Sequence, residues 1–490
     1  MKIDSELDRA VASTTKPEAS SGPRSLPAWH VLALVSGLGA LALAAGPISD
    51  PDVYWHTLAG EYFLHGRGFP HPDPWSFSLP GARWNSTSML SEAVLALVFK
   101  TVGYGGLVGV RAILSVALMV MLYRMLVVGR SGWPGAAVFT LVALPLAGYL
   151  QERPQTASLL FLVWLAGVCR RYQSSGEVPV FWRFIAVSYL WALVHGLFVL
   201  APGCLVLLAA GAFLDDRRGL APEVRRLLVL AGSTVVACAL TPMGPRLLLA
   251  PFTVGSAAQG FIAEWAPTTL TYSGSWGFAA CMGLVVLAWA RSRDSVSRSE
   301  VLWMVALSTF GFLAVRNAGP VSILLAPLAV ERLSGTWRVA TSQLRVRRLP
   351  AVALATLAFL AVTLSYATHP AVPRSNPSRI AERLATQPVQ IRVLNDYNIS
   401  GYLLREASPH LLLAVDGRTD RFGRGFLSRY DDAFKVRKGW QEFVAAQRVD
   451  AAVVLTDEPL AQLLVNELGW HVVLVDQRWS LLSPPSSNLL

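Results

Sequence analysis

Two aspartates, Asp50 and Asp52, stand one proline apart behind the first apolar run of the chain, in "ISDPDVYWHTLAGEYF". Trp55 and His56 follow them closely. Carboxylates this near to each other suit general-base work. One takes the proton of an attacking hydroxyl, while the other orients it or raises its pKa through like-charge proximity. Asp-x-Asp alone arises often by chance, and its context gives it weight. Further ionisable groups recur at the ends of later apolar runs: Arg153 in "QERPQ" (151–155), His195, Arg246 in "TPMGPR" (241–246), Glu264 beside Trp265 in "AEWAP" (263–267), and Arg316 in "RNAGP" (316–320). Such groups near membrane depth are costly and usually face a cavity or pathway. Each has a plain alternative reading, since arginines snorkel and a histidine can simply end a helix. Their recurrence on one face points to a shared site. In it Asp52 and Asp50 are the catalytic pair, with Asp52 preferred as base, and His56, Arg153, His195, Arg246, Glu264, Trp265 and Arg316 bind substrate.

The elements that must carry these residues are membrane helices. The chain is 53% hydrophobic and 15% charged, with mean hydropathy +0.45. Soluble proteins carry about 25% charge. Apolar runs near 29–47, 104–128, 133–150, 155–170, 182–200, 201–214, 227–242, 274–290, 301–315, 320–333 and 349–368 read as spans. They do not alternate as barrel strands would. The segment 88–102 is apolar but carries Glu92 and Lys100, and reads as an amphipathic helix on the membrane surface. Residues 1–28 read as a disordered tail without a signal peptide.

The net charge of +11 is distributed as topology control rather than as a nucleic-acid face. With the N-terminus in the cytoplasm, that side holds 21 Lys and Arg, against six in the opposite loops. Every site candidate then falls on the outer face, the first outer loop being 48–103. The four cysteines lie in or beside apolar runs without metal-ligand spacing.

After residue 368 the charge density becomes ordinary, with 14 basic and 13 acidic residues. Runs at 389–396, 410–417, 450–457 and 470–476 read as buried strands, and 401–407, 440–447 and 459–468 as helices. The expectation for 369–490 is a small α/β domain of mainly parallel strands, placed outside by an odd number of spans. It has no Gly-rich phosphate loop. Its turns "NDYNISGY" (395–402) and "DGRTDRF" (416–422) follow strand ends, where such domains bind ligands.

An extracytoplasmic site lacks nucleotide sugars, so group transfer there draws on a lipid-linked donor. That chemistry needs a base, cations for the departing lipid phosphate and an apolar groove. Tyr54, Trp55, Trp75, Trp84 and Trp265 read as sugar-stacking aromatics or as an interfacial belt.

The pattern Asp50-Pro51-Asp52 with Trp55-His56, then "GRGFPHPDPWS" (66–76), Trp84, "RPQ" (153–155), "LWALVHG" (190–196), "TPMGPR" and "AEWAP" resembles the GT-C glycosyltransferase superfamily, specifically a bacterial branch with a C-terminal extracytoplasmic α/β domain. The likeness implies a polytopic α-helical membrane protein of about 11 spans in the bacterial inner membrane. It also implies a polyprenyl-phosphate-sugar donor, a glycan, lipid or protein acceptor, inverting transfer, and a catalytic aspartate at Asp50 or Asp52. No tight metal site is expected, with a divalent ion left open. Two other classes compete: a transporter or flippase of a lipid-linked substrate, and a non-catalytic envelope assembly protein. The lack of an internal repeat speaks against the transporter.

Overall fold

The computed structural model describes residues 25–66, 68, 73–80, 82–84, 86–128, 132–216, 221–292, 295–336 and 345–487. Most of the N-terminal tail and part of the "GRGFPHPDPWS" stretch, with His71, lie outside these residues.

Each expected span is a helix: α1 (Ala28–Leu43), α4 (Tyr104–Leu126), α5 (Gly132–Leu146), α6 (Pro154–Ser175), α7 (Phe181–Val194), α8 (Leu200–Asp215), α9 (Pro222–Ala239), α11 (Trp276–Arg291), α12 (Arg298–Leu313), α13 (Val315–Thr336) and α14 (Arg348–Thr368). Among the described residues, Tyr104–Leu126, Gly132–Tyr149, Gly196–Asp215 and Ser273–Arg291 are long and apolar enough by themselves to cross a membrane. A short antiparallel pair, β1 (Ser25–Pro27) with β2 (Arg345–Arg347), ties the start of α1 to the start of α14. Arg316 lies in the first turn of α13 rather than in a loop, because the chain breaks at the extended Ala314.

The first loop is itself folded. Asp52–Leu64 forms α2 and Met89–Val102 forms α3. These two helices pack so closely that a Cβ at Gly60 would stand 1.9 Å from the Glu92 carbonyl oxygen. On α3, Glu92, Leu95 and Ala96 are buried while Val94, Leu97 and Val102 are exposed. Glu92 does not interrupt the apolar face towards solvent, as a lone charge would. It turns inward and meets His56. A further apolar helix, α10 (Arg246–Ala258), fills the stretch between α9 and α11, where no helix was expected.

The C-terminal domain has a five-stranded sheet in the order β4-β3-β5-β7-β6, from Leu411–Leu413, Ile391–Asn395, Ala451–Leu455, Trp479–Ser483 and His471–Asp476. Beside it lie α15 (Ser378–Ala385), α16 (Ser400–Ala407), α17 (Thr419–Phe434), α18 (Trp440–Gln447) and α19 (Pro459–Asn466). The expectation of mainly parallel strands is corrected here. β3 runs parallel to β4 and β5, but β7 pairs antiparallel with both β5 and β6. β7 was missed because the two-residue turn before it, Gln477-Arg478, has none of the Gly or Asn residues that announce a hairpin. Gln477 takes the positive φ of 56° instead. β6, expected to be buried, is a largely exposed edge strand.

The domain and the first loop share one apolar core. Val53, Tyr54, Trp55, Trp75 and Trp84 pack with Ile380, Leu384, Ile391, Tyr402, Leu403 and Leu481. Residues 75–77 extend the sheet beside β4, with Leu413 N–H donating to Trp75 O (2.9 Å) and Phe77 N–H to Leu413 O (3.2 Å). Gly60→Ala is therefore expected to lower stability by about 1–3 kcal/mol through overpacking. Gly105→Ala, whose Cβ meets nothing within 4 Å, should not destabilise the chain. Thermal unfolding of the purified variants in detergent checks both.

Candidate functional site

Asp50 ends the connection from α1, and its carboxylate organises the start of α2. Asp50 Oδ1 accepts the Asp52 backbone N–H (3.0 Å), satisfying one of the free donors of the helix terminus. Asp52 is thereby fixed in the first turn, where its negative charge is favoured. Its Oδ1 accepts the indole N–H of Trp55 at 3.0 Å, leaving Oδ2 directed towards Arg153 at 3.6 Å. Asp50 is buried and Asp52 half-buried.

Arg153 reaches this pair from the start of α6. Pro154 at the first helical position sets the chain entry, and Thr156 Oγ1 closes the turn by donating to Gln151 O (2.7 Å). The guanidinium meets three carboxylates: Asp50 Oδ2 at 2.6 Å, Asp52 Oδ2 at 3.6 Å and Glu264 Oε2 at 3.0 Å. Glu264 also pairs with Arg316 (3.2 Å), whose guanidinium lies 4.4 Å over the Trp265 ring. Arg316 Nη2 donates to Gln155 Oε1 at 3.4 Å. The 263–268 segment is held against the α12–α13 junction, with Val315 N–H donating to Ala266 O (2.9 Å).

His195 follows α7 in extended conformation, and its Nδ1 accepts the Leu197 N–H at 3.3 Å. In the neutral ring the proton then sits on Nε2. His56 Nδ1 is 2.9 Å from Glu92 Oε1.

Five separate segments thus bring Asp50, Asp52, His56, Arg153, His195, Glu264, Trp265 and Arg316 into one charged network. Arg246 is not drawn in: it is exposed at the start of α10 and makes no ion pair among the described residues. The aromatic reading is corrected for four residues. Tyr54, Trp55, Trp75 and Trp84 are 3–6% exposed and pack in the shared core, so they have no free face for a sugar.

Burial, and then the Asp50 charge, push the Asp52 carboxyl up to about 6 against Arg153, His56 and the Trp55 hydrogen bond. Burial alone would lower the Arg153 pKa, but Asp50, Asp52 and Glu264 overcome it and hold the guanidinium charged. Among the described residues no three His, Cys, Asp or Glu side chains are grouped as metal ligands. The donor set does not suit a tight divalent site either, because Asp50 is taken by Arg153 and the Asp52 amide, and Glu264 by two arginines.

Three supporting groups gave no recognisable signal in the sequence. Arg111 and Glu152, both buried, pair at 2.7 Å. Arg111 also donates to the carbonyls of Pro47 (3.1 Å) and Gly46 (2.5 Å), and Glu152 Oε2 accepts the Ser49 N–H (3.3 Å). This pair holds the strand of chain that delivers Asp50. The third group is Arg418, which is buried, pairs with Asp73 and Asp416 at 2.9 and 2.5 Å, and lies over Trp75 and Trp84 at 4.8 and 5.2 Å. A separate cavity of about 450 Å³ beside Arg225 and Arg226 lies near Val178, past the far end of α6 from Arg153. One helix of that length separates the two by roughly 33 Å.

No protein-family model and no curated protein sequence matches the chain. Its architecture does match solved structures. The oligosaccharyltransferase of Archaeoglobus fulgidus in the apo form superposes with a TM-score of 0.53 at 13% identity, over 88% of this chain and 70% of that one. ArnT from Cupriavidus metallidurans superposes with a TM-score of 0.50 in two states. The form bound to undecaprenyl phosphate is 15% identical and the apo form 16%, each over 93% of this chain and 97% of ArnT. The chain shares the fold of these structures, a polytopic helical part with a small C-terminal sheet domain.

Removing Arg111 leaves Glu152 buried without its counter-charge. Arg111→Met is expected to cost about 3–5 kcal/mol, and Arg111→Met with Glu152→Leu substantially less. Unfolding midpoints of the single and double variants measure the difference.

Proposed function

We propose that this chain is a bacterial inner-membrane glycosyltransferase that moves a sugar from a polyprenyl-phosphate donor to a hydroxyl-bearing acceptor at its outer face. The observation that carries this reading is Asp52. It is a half-buried carboxylate with one oxygen fixed by Trp55 and the other turned to a cationic network, on a fold shared with ArnT and an oligosaccharyltransferase.

In this mechanism Asp52 Oδ2 takes the proton of the acceptor hydroxyl as its oxygen forms a bond to the anomeric carbon. The bond from that carbon to the phosphate oxygen breaks on the opposite face, inverting the centre, and its electron pair leaves with the polyprenyl phosphate. Arg316 and the Nε2–H of His195 stabilise the charge that develops there. Asp50 cannot share the base role, since both its oxygens are engaged. It positions Asp52 and raises its basicity. The cytoplasmic N-terminus and outer C-terminal domain follow from the arginine and lysine bias.

Asp52→Asn is expected to abolish transfer with protein abundance unchanged. Asp50→Asn should retain a reduced activity. The base works only when ionised, so activity should fall as pH drops through about 6. Arg153 favours the ionised form, so Arg153→Gln should move that acid limb to higher pH. Product formation by membranes across a pH series tests all three, and full activity in Asp52→Asn would sink the mechanism.

A further inference from the structure

The two histidines of the site are held by neighbouring residues of one helix, and in opposite senses. His56 Nδ1 stands 2.9 Å from Glu92 Oε1 on α3. A carboxylic acid gives up its proton more readily than an imidazolium, so the proton between them belongs to the ring. Nδ1 therefore donates, and in the neutral ring Nε2 is left bare as an acceptor. His195 has the reverse arrangement, because its Nδ1 accepts the Leu197 N–H and its Nε2 carries the proton. One imidazole offers the site a lone pair and the other an N–H.

Packing does not account for Glu92. The residue is 1% exposed, and its Oε2 is buried without a hydrogen-bond partner among the described residues. A buried carboxylate with a single partner is costly, and an apolar side chain would fill the same space without that cost. Ser91, beside it, donates from Oγ to the carbonyl of Val194 at 3.0 Å, the last residue of α7 before His195. Adjacent side chains of α3 thus grip both histidines. The helix comes near enough because of the close contact at Gly60, one turn after His56 on the same face of α2.

His56 lies within the site rather than behind it. It stands one turn after Asp52 on α2, and its ring centroid is 3.8 Å from that of Trp55, whose indole N–H is bound to Asp52 Oδ1 at 3.0 Å. Its side chain is 12% exposed, and Nε2 makes no hydrogen bond among the described residues. A bare ring nitrogen finds no partner in an ionised phosphate, whose oxygens only accept, but it does find one in a hydroxyl. Building on the glycosyltransferase reading, we propose that Glu92 is a positioning residue that fixes His56 Nε2 as a hydrogen-bond acceptor for a substrate hydroxyl, while Ser91 sets His195 to donate to the lipid phosphate.

Asparagine at either histidine keeps a polar group where Nδ1 was and removes Nε2. Full-length wild type, His56→Asn, His195→Asn, Glu92→Gln and Asp52→Asn are purified in detergent with ¹⁵N-labelled histidine. Ring ¹⁵N spectra above neutral pH report which nitrogen carries the proton, each histidine being assigned by the signals its own variant lacks. Thermal midpoints, undecaprenyl phosphate binding and, in a strain lacking the gene, the glycosylated product by mass spectrometry complete the set. Wild type should show the proton on Nδ1 of His56 and on Nε2 of His195. Glu92→Gln, whose amide can donate or accept, should mix the two His56 tautomers. His56→Asn should lower product formation about tenfold, the worth of one well-placed hydrogen bond, with undecaprenyl phosphate affinity unchanged. His195→Asn should weaken that affinity. A proton on Nε2 of neutral His56 in the wild type overturns the assignment of Glu92, whatever the variants do. Wild-type product formation by His56→Asn also overturns it, as does weakened undecaprenyl phosphate binding by that variant at an unchanged midpoint. Full activity in Asp52→Asn would instead overturn the reading of the site itself, leaving the tautomers as they are.

Discussion

Three carboxylates around one guanidinium set the constraint on which the site depends. Asp50 is buried, and a lone buried carboxylate is far too costly to remain ionised. Arg153 removes that cost at 2.6 Å, and in doing so becomes committed to Asp52 and Glu264 as well. The position of α6, the start of α2 and the 263–268 segment are therefore not independent. Moving any one of them strands a charge. Arg111 and Glu152 repeat the principle one layer deeper, and Glu92 with His56 repeats it on the side of α3. Since each pair joins segments about a hundred or fewer residues apart within the helical part, the helices can pack as a bundle of apolar surfaces only if these charges meet.

The same requirement binds the C-terminal domain. Arg418 and Arg421 converge on Asp73, Arg405 pairs with Glu61 at 2.8 Å, and Ile48 N–H donates to the Ala371 carbonyl at 2.8 Å. With tryptophans from the first loop in the domain's own core, this is an interface like a protein interior. A lid that swings on a linker would show a small, polar contact instead. The domain is a fixed wall of the site.

Much of this was legible in the sequence. The apolar runs gave the helices, because membrane length leaves a strong local signal, and the recurrence of ionisable groups at their ends gave Asp50, Asp52, Arg153, His195, Glu264 and Arg316 as neighbours. What could not be read were the pairings. Arg111 lies mid-helix with nothing nearby to announce Glu152, and Asp73 is 345 residues from Arg418. Local patterns also mislead where tertiary packing takes over. The tryptophans of the first loop looked like surface aromatics because nothing in their own segment buries them. Their core is supplied by strands at the other end of the chain. β7 and α10 were missed for the ordinary reason that a short strand without a turn signal, and an apolar helix with an internal proline, resemble loops.

The parallel bridge between Ser76 and Leu413 has a consequence for how the chain is made. Ribosomes deliver the N-terminal end first, so Asp50 and Asp52 are in place long before β4 exists. Until the segment from β4 through Arg421 has been synthesised, Trp75 and Trp84 lack their cover and Asp73 has no arginine. The helical bundle can insert early, but its reactive corner cannot mature then. Nascent and prematurely terminated chains would leave that corner open, a form in which exposed aromatics invite chaperone capture or degradation. Only a chain made through β4 and Arg418 can bring the two halves of the site together.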